Sequence, residues 1–593
     1  MRLMHARVFA VISVISMLLL AACGGGDEDK ATATKAPSAT STASSSTPRP
    51  TTTAAPVATN TPATGGLTGT ILDKATLSNY ELDNVRYGGT FVAPQEGSRA
   101  LDPKLDNTGL TGDTQWGYEK LLDWAPNLND EWTTLVPVLA ESWKASTDLK
   151  VYTFNIRKGV KWHNIAPANG RELVADDVVF SMNRYREKDA VNISAYSQVD
   201  DIQAPDKYTV VVTLKSPYAF AVDELFGQLD YVVNPELVKE EGGTLSTRLI
   251  GTGPYIMKKF GFRQGSSHVR NPDYWMKDAK GNKLPYVDNI EVPYIGDRAT
   301  TAAAFRSGQI DWPRGLTVED YIQIGKTTQL RIFANGSGIG QGFTFNTRIA
   351  PWNDVRVRRA FNHMLDKERF GDTVHGKGLW EFKGPLPWNL VADDAMSLAK
   401  LGPYAKFDPA AGKKLLVEAG FPDGKLKVAT PLPFAAGSTY EPRAQTLQAL
   451  YKENGIEFEL LRMDTASYNP FYFLRDIKDI MLTHQVFSKP NLNWFAQNKF
   501  HKLAVQNTAW VDDPQVNKVV DDIRITLDPA KQREYAKFLW DFETLNSITV
   551  WTPVGKSYII SSAHTRNDLR RAGTSRNATI VLPWLSDGPR TTP

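Results

Sequence analysis

Two periodicities alternate along this chain from Tyr87 onward. Tyr152, Phe154 and Ile156 alternate with Thr153, Asn155 and Arg157, and Tyr208, Val210, Val212 and Leu214 alternate with Thr209, Val211 and Thr213. A period of two predicts strands with one buried face. Between them Val178, Val179, Met182 and Tyr185 recur at helical spacing. They predict a helix over Ala175 to Tyr185, with Asp176 or Asp177 at the positive end of its dipole. Further on, Asp354 is placed to cap a helix whose Val357, Ala360, Phe361, Met364 and Leu365 form one apolar stripe, with Arg356, Arg358, Arg359 and His363 turned away from it. Asp408-Pro409 opens another helix, with Ala411, Leu415 and Ala419 as its buried face and Gly420 as its stop. No self-similar period of roughly 20 to 50 residues suggests a solenoid or propeller. The pattern is that of a mixed α/β body.

Before Tyr87 the pattern is different. Arg2, His5 and Arg7 precede the apolar run Val8 to Leu20, which ends in Leu20-Ala21-Ala22-Cys23. This is the layout of a secretory signal, and at roughly 20 Å as a helix the run falls short of a ~30 Å hydrocarbon core. Leu-Ala-Ala-Cys resembles the lipobox of bacterial lipoproteins, in which the peptide bond before the cysteine is cut and its thiol is acylated. Residues 24 to about 66 are rich in Thr, Ala, Ser and Pro and cannot bury enough apolar surface to fold, so they read as a flexible tether.

Composition narrows the chemistry. At 593 residues the chain exceeds what one hydrophobic core supports, so two or more domains share it. The formal charge of +3 gives no basic field for nucleic acid, and no nucleic-acid partner is expected. Cys23 is the one cysteine, which excludes disulfide frameworks and thiolate metal cages. The eight histidines are scattered without helical metal-ligand spacing, and neither a metal nor a cofactor is expected. Gly325-Lys326-Thr327 and Gly555-Lys556-Ser557 lack the glycine that a phosphate loop needs, since Asp320 and Val550 stand there. Gly336, Gly338, Gly340 and Gly342 do not fall into a dinucleotide register, and the familiar serine-hydrolase and zinc-protease motifs are missing. The acid pairs Asp176-Asp177 and Asp512-Asp513 sit at helix starts or turns, where capping accounts for them. Nothing in the sequence designates an enzyme.

Several short segments, in order, resemble the family 5 extracellular solute-binding proteins, the peptide, nickel and oligosaccharide receptors of ABC importers. They include Tyr87-Gly88-Gly89-Thr90, Leu101-Asp102-Pro103, Tyr118-Glu119, Leu139-Ala140-Glu141-Ser142-Trp143 and Trp162-His163. Gly251-Thr252-Gly253-Pro254-Tyr255, Asn271-Pro272-Asp273-Tyr274-Trp275, Ser307-Gly308-Gln309-Ile310-Asp311 and Asn353-Asp354-Val355-Arg356 follow. The resemblance implies an α/β, periplasmic-binding-protein-like fold of type II, cluster C, with two lobes, an extra domain and a ligand cleft between lobes.

By analogy, residues 1–22 are a lipoprotein signal peptide and 23–86 the acylated Cys23 with its tether. Residues 87–136, 251–338 and 549–593 form lobe I, 137–250 an additional domain on its side, and 339–548 lobe II. Gly-rich 336 to 342 then lies at a crossover, where glycine tolerates hinge dihedrals. The implied protein is a monomer held on the membrane through Cys23, which captures a peptide-like or oligosaccharide-like solute by lobe closure and passes it to ABC permease subunits. The alternatives are an exported lipoprotein hydrolase and a ligand sensor of the same fold. Peptide receptors of the family often carry an acid that pairs with the free amino group of the peptide; here Ser488 stands near that place. The loop after Trp162-His163 is also rebuilt. His484, Gln485, Phe487, Lys489 and Trp494, with Asn107, Tyr196 and Gln341, are the expected cleft residues.

Overall fold

In the computed structural model, the residues described are 70–71, 85–94, 100–105, 113–124, 135–191, 193–226, 231–313, 315–335, 339–392, 394, 396–433, 440–464, 467, 480–486, 492–504, 507–562, 565–566 and 584–585. Strands β1 (Thr70–Ile71) and β2 (Thr90–Val92) lead in, and β3 (Leu122–Trp124) pairs with β4 (Leu135–Pro137). A four-stranded antiparallel sheet then gathers β5 (Ala140–Ala145), β6 (Val151–Ile156), β8 (Thr209–Leu214) and β7 (Val199–Asp206), in that order. Tyr152, Phe154 and Ile156 of β6 and Val210, Val212 and Leu214 of β8 are buried, as their alternation predicts. Helix α1 (Ala175–Arg184) packs on this sheet through Val178 and Met182. Asp177 reaches back to accept the Val174 N–H at 3.1 Å, closing the first turn of the helix.

A second sheet has the order β2, β11 (Asn289–Pro293), β10 (Gly265–Arg270), β9 (Tyr255–Gly261), with β2 parallel to β11 and the other pairs antiparallel. Phe91, Trp116, Tyr255, Tyr286, Ile290 and Val292 form its core. The third sheet sets β12 (Leu330–Asn335) between β1 and β20 (Ser557–Ser562), over Phe305 and Ile324.

The last body is built on β13 (Ile339–Phe345), flanked by β17 (Ile480–Val486) and β18 (Thr549–Thr552). The short pair of β14 (Trp380–Glu381) and β19 (Val554–Gly555), and the parallel pair of β15 (Leu426–Pro433) and β16 (Ile456–Met463), complete its strands. Its helices include α2 (Val355–Met364), α3 (Lys367–His375), α4 (Pro409–Glu418), α5 (Tyr440–Lys452), α6 (Pro514–Arg524) and α7 (Pro529–Leu545). Phe343, Phe345, Trp352, Phe361, Tyr451 and Phe458 make an aromatic core, with Phe345 stacked on Trp352 at 4.7 Å.

Two helix readings need correction. The stripe on α2 is buried as expected, but Arg358 is buried too, at 6% exposure. It donates from Nε to the Asn546 carbonyl at 3.0 Å, while Arg359 donates from Nε to Leu545 at 3.1 Å, so both arginines serve the negative C-terminal end of α7. On α4 the caps are where the sequence puts them, Asp408 accepting from Ala411 N–H at 2.9 Å and Gly420 at φ +97°. Its fully buried residues, however, are Gly412 and Leu416, while Ala411 and Leu415 are half-buried. A Cβ on Gly412 would stand 2.7 Å from Met364 Cγ, so the close crossing of α2 and α4 rotates the contact face by about one residue. Among the described residues no helix is long and apolar enough to cross a membrane.

Candidate functional site

The chain passes twice between the third and fourth sheets. β12 pairs with β20 along Leu330↔Ser562 to Asn335↔Ser557, and β13 pairs with β18 along Gln341↔Thr552 to Thr344↔Thr549. β12 thus precedes β13 in the chain and β18 precedes β20, so the two antiparallel pairs are built from the same two stretches of chain. Such a paired double passage is where two bodies can turn against each other with few dihedrals changing.

At the Thr344 end of β13 lies a small cleft, lined by Thr344, Ile548, and Lys499, Phe500, Thr508, Ala509 and Val511. Lys499 is buried and its Nζ lies 3.1 Å from Glu543 Oε1. Trp551 Nε1 donates to Glu543 Oε2 at 2.9 Å, and the Lys499 ammonium sits 4.1 Å from the Trp551 ring centroid. Burial lowers the Lys499 pKa, and the Glu543 carboxylate opposes that shift. The group therefore forms a compensated ion pair on the wall of the cleft.

On the second sheet a different knot closes the chain. Glu119, buried at 1% exposure, accepts from Thr252 Oγ1 at 2.8 Å, from Tyr274 OH at 2.9 Å and from Trp275 Nε1 at 3.0 Å. Burial pushes its carboxyl up to about 7 against these donors and against the Arg157 charge. The neighbouring loop is gripped by His163, whose Nδ1 accepts from Gly251 N–H at 3.3 Å and whose Nε2 faces the Gly253 carbonyl at 3.0 Å. Burial holds this imidazole neutral, down to about 4. Gly251 is obligatory, because a Cβ there would lie 1.9 Å from the Gly117 carbonyl oxygen.

A Ser/His/Asp cluster exists, with the wrong connectivity for nucleophilic catalysis. Ser266 Oγ donates its one proton to Asp113 Oδ1, so His268 Nε2, 2.8 Å away, must donate to Ser266. The histidine is not the base for the serine, all three are buried, Ser266 and His268 on β10 and Asp113 on the short helical turn Asp113–Trp116, and burial lowers His268 to about 3. Among the described residues no group of three His, Cys, Asp or Glu is placed to hold a metal ion.

The sequence-predicted site residues fall in different places. Gln341 sits mid-strand on β13, half-buried, and its Oε1 has no hydrogen-bond partner. His484 on β17 and Thr552 on β18 are its register neighbours, and Gln485 stands opposite Gly340. Trp494 is half-buried against Phe495, with ring centroids 5.1 Å apart. Tyr196 is a core residue instead, 2% exposed and stacked on Tyr185 at 5.4 Å, so this placement does not fit a cleft role. Cys23, Asn107, Phe487, Ser488 and Lys489 lie outside the described residues. Sequence reasoning missed Lys499, Glu543 and Trp551 as a group, since 44 positions separate the lysine from its acid.

Similar proteins give this geometry a family. The chain is 28% identical over 396 residues to a di/tripeptide-binding protein of Pseudomonas aeruginosa, covering 62% of this chain and 71% of that one. It is 27% identical over 403 residues to a heme-binding protein of Haemophilus influenzae, covering 64% and 70%. Among solved structures, HbpA2 of Haemophilus parasuis superposes with a TM-score of 0.72 at 21% identity, covering 83% of this chain and 99% of that one. The periplasmic binding protein DppA of Helicobacter pylori, in complex with a peptide, does so at 0.65 and 20% identity, covering 84% and 99%. The fold is that of the periplasmic binding proteins. Residues 134–513 match the family described as "Bacterial extracellular solute-binding proteins, family 5 Middle", and over that span the chain belongs to this family of solute-binding proteins.

Proposed function

We propose that the protein is the membrane-anchored, extracytoplasmic solute receptor of an ABC importer, which encloses a peptide-like or oligosaccharide-like solute between two lobes and delivers it to the permease. The observation that carries this reading is the double strand passage from β12 to β13 and from β18 to β20, the form of a hinge between two bodies. Lobe I is residues 87–136, 251–338 and 549–593, with the additional domain 137–250 beside it, and lobe II is 339–548. Closure follows when solute binds the closed form more tightly than the open one.

Gln341 offers an unmet acceptor at the hinge end of this cleft, and His484, Gln485 and Trp494 belong to the same wall by register and sequence. Asn107, Phe487 and Lys489 are assigned to it from the sequence alone. The peptide named in the Helicobacter pylori complex and the di/tripeptides named for the Pseudomonas relative favour a peptide-like ligand. Ser488 in place of an acid argues for peptides without a free amino terminus. Cys23 carries the lipid anchor, since two or more acyl chains hold a soluble body on a bilayer stably.

Thermal unfolding of the protein against free peptides, N-blocked peptides, oligosaccharides, opines and nickel chelates tests this. A specific rise in Tm without turnover supports the receptor. Saturable binding of free dipeptides would overturn the argument from Ser488, and turnover of any compound would move the reading to a hydrolase. Replacement of Cys23 by Ala should release the protein from membranes.

A further inference from the structure

The chain enters the second sheet beside a short basic turn. Tyr87, just before β2, is 42% exposed, donates its OH to the Lys283 carbonyl at 2.8 Å and meets Tyr286 edge to face at 5.4 Å. Gly88 N–H donates to the Tyr286 carbonyl at 2.9 Å, so backbone and side chain both pin the entry point to residues 276–286. Lys277 and Lys283 are bridge partners across this turn, and with Lys280 at its tip and Arg86 beside Tyr87 they are exposed. Two acids beside these cations are engaged. Asp278 folds into the turn, where it accepts from the N–H groups of Lys280 and Asn282 at 2.8 Å each and from Tyr286 OH at 2.5 Å. Asp288 pairs with Arg270, whose guanidinium lies 5.2 Å from the Tyr87 ring centroid. Asp273, in the preceding turn, is exposed.

We propose that this face rests on the anionic surface of the membrane that holds Cys23, through Arg86, Lys277, Lys280 and Lys283. The inference rests on the anchor reading above and adds which side of the body faces the bilayer. Two arguments choose that occupant. The first is where the anchored segment joins the body, since residues 23–86 lead to Tyr87 inside the cluster. A flexible chain of that length spans roughly 40–50 Å, whereas a folded body of about 500 residues is about 60 Å across. The entry face therefore meets the bilayer more often than the opposite face, and anchoring raises its effective concentration there to about millimolar. The second argument is charge. Lys and Arg within a Debye length of about 8 Å of anionic headgroups are drawn to them, and a lipid anchor joined to a basic patch is a stable two-signal attachment. Tyr87 adds an amphipathic ring of the kind that settles at headgroup level. An acidic protein surface would suit the same cations, but the tether brings the bilayer itself to this face.

The test places the full-length acylated protein on vesicles of phosphatidylcholine, or of phosphatidylcholine mixed with phosphatidylglycerol, and follows labelling of each lysine by a water-soluble amine reagent. The expected result is labelling of Lys277, Lys280 and Lys283 about threefold to tenfold slower on the anionic vesicles, with the exposed Lys413 and Lys414 of α4 unchanged. High salt should cancel the difference. In Lys277→Gln with Lys283→Gln, Lys280 should label at nearly the same rate on both vesicles. Equal labelling of the three lysines on both vesicles overturns the proposal, as does equal slowing at Lys413 and Lys414, or slowing at Lys280 that survives high salt or the two substitutions. Slowing that appears only when the importer's membrane subunits are added, whatever the lipid, makes the face a protein contact and overturns it too. If the protein floats with neither vesicle, the anchor reading falls and the proposal with it; if it floats and labels equally, the proposal falls alone.

Discussion

Glu119 and Glu543 are both sealed from solvent, at 1% and 0% exposure, and each accepts a hydrogen bond from an indole N–H. Their remaining partners differ. Glu119 is surrounded by neutral donors from Thr252, Tyr274 and Trp275, whereas Glu543 faces the ammonium of Lys499. The first arrangement leaves a carboxylate whose charge is only partly offset, and burial raises its pKa. The second is a compensated pair beside the strands that pass between sheets. The acid that locks the second sheet is thus sensitive to pH, and the acid near the hinge is sensitive to loss of its cation.

Breaking the ion pair gives the largest effect. Glu543→Ala leaves Lys499 buried beside the Trp551 ring with no counter-charge, at a cost of about 3–5 kcal/mol. Replacing both members by apolar residues, Lys499→Met with Glu543→Leu, should restore most of that stability, because the uncompensated charge is what costs most. Urea unfolding of the single and double variants measures both. A single variant as stable as the double would remove the distinction between the two glutamates.

Next comes the pH dependence of the Glu119 knot. Its folded pKa, pushed up to about 7 from 4.5, lies above the unfolded value, so the folded state holds the proton more firmly. The stability this gives is complete below the unfolded pKa and is lost as pH rises through 7, a change of about 3 kcal/mol between pH 5 and pH 8. Glu119→Gln, which cannot ionise, should flatten that slope whatever its absolute stability. Parallel pH profiles for the two proteins would show that the carboxylate stays charged throughout. His163, on the same Gly251–Gly253 loop, works in the opposite sense. Its folded pKa of about 4 lies below the usual 6.5, so its contribution is present above 6.5 and lost as pH falls toward 4. By pH 5 the loss is about 2 kcal/mol, and His163→Asn should remove that limb alone.

These knots also explain what was legible in the sequence. Tyr118-Glu119, Gly251-Thr252-Gly253 and Tyr274-Trp275 are three of the segments that carried the family resemblance, and they converge on one carboxylate and one close backbone crossing. Leu101-Asp102-Pro103 is another, with Asp102 buried and its Oδ1 accepting from Arg184 Nη1 at 3.0 Å. The motifs therefore record how the frame is locked, which is why they identify the fold without naming a solute. Alternation and capping were equally readable, because both are local: β6, β8, α1 and the Asp408 cap needed no knowledge of distant residues. Arg358, the buried face of α4 and Tyr196 were misread because their surroundings come from other elements, the C-terminus of α7, Met364 on α2 and Tyr185 just after α1. The Lys499–Glu543 pair escaped for the same reason.

The smallest effect separates the two indoles. In Trp275→Phe, Glu119 keeps two neutral donors, so the loss is one hydrogen bond among three, about 1 kcal/mol. In Trp551→Phe, the Phe ring keeps a face for the Lys499 ammonium, but Glu543 loses the one donor shared with no other acceptor and relies on the lysine alone. A hydrogen bond to a buried charge with a single remaining partner is worth about 1.5–3 kcal/mol, so this variant should be the less stable of the two by about 1 kcal/mol. Combining Trp551→Phe with Glu543→Leu and Lys499→Met should then cost little more than the double variant, since the indole N–H has lost its acceptor along with its role. If Trp275→Phe proves the costlier change, neutral donors hold the Glu119 knot more tightly than the ammonium holds Glu543, and the ranking of the two sites reverses.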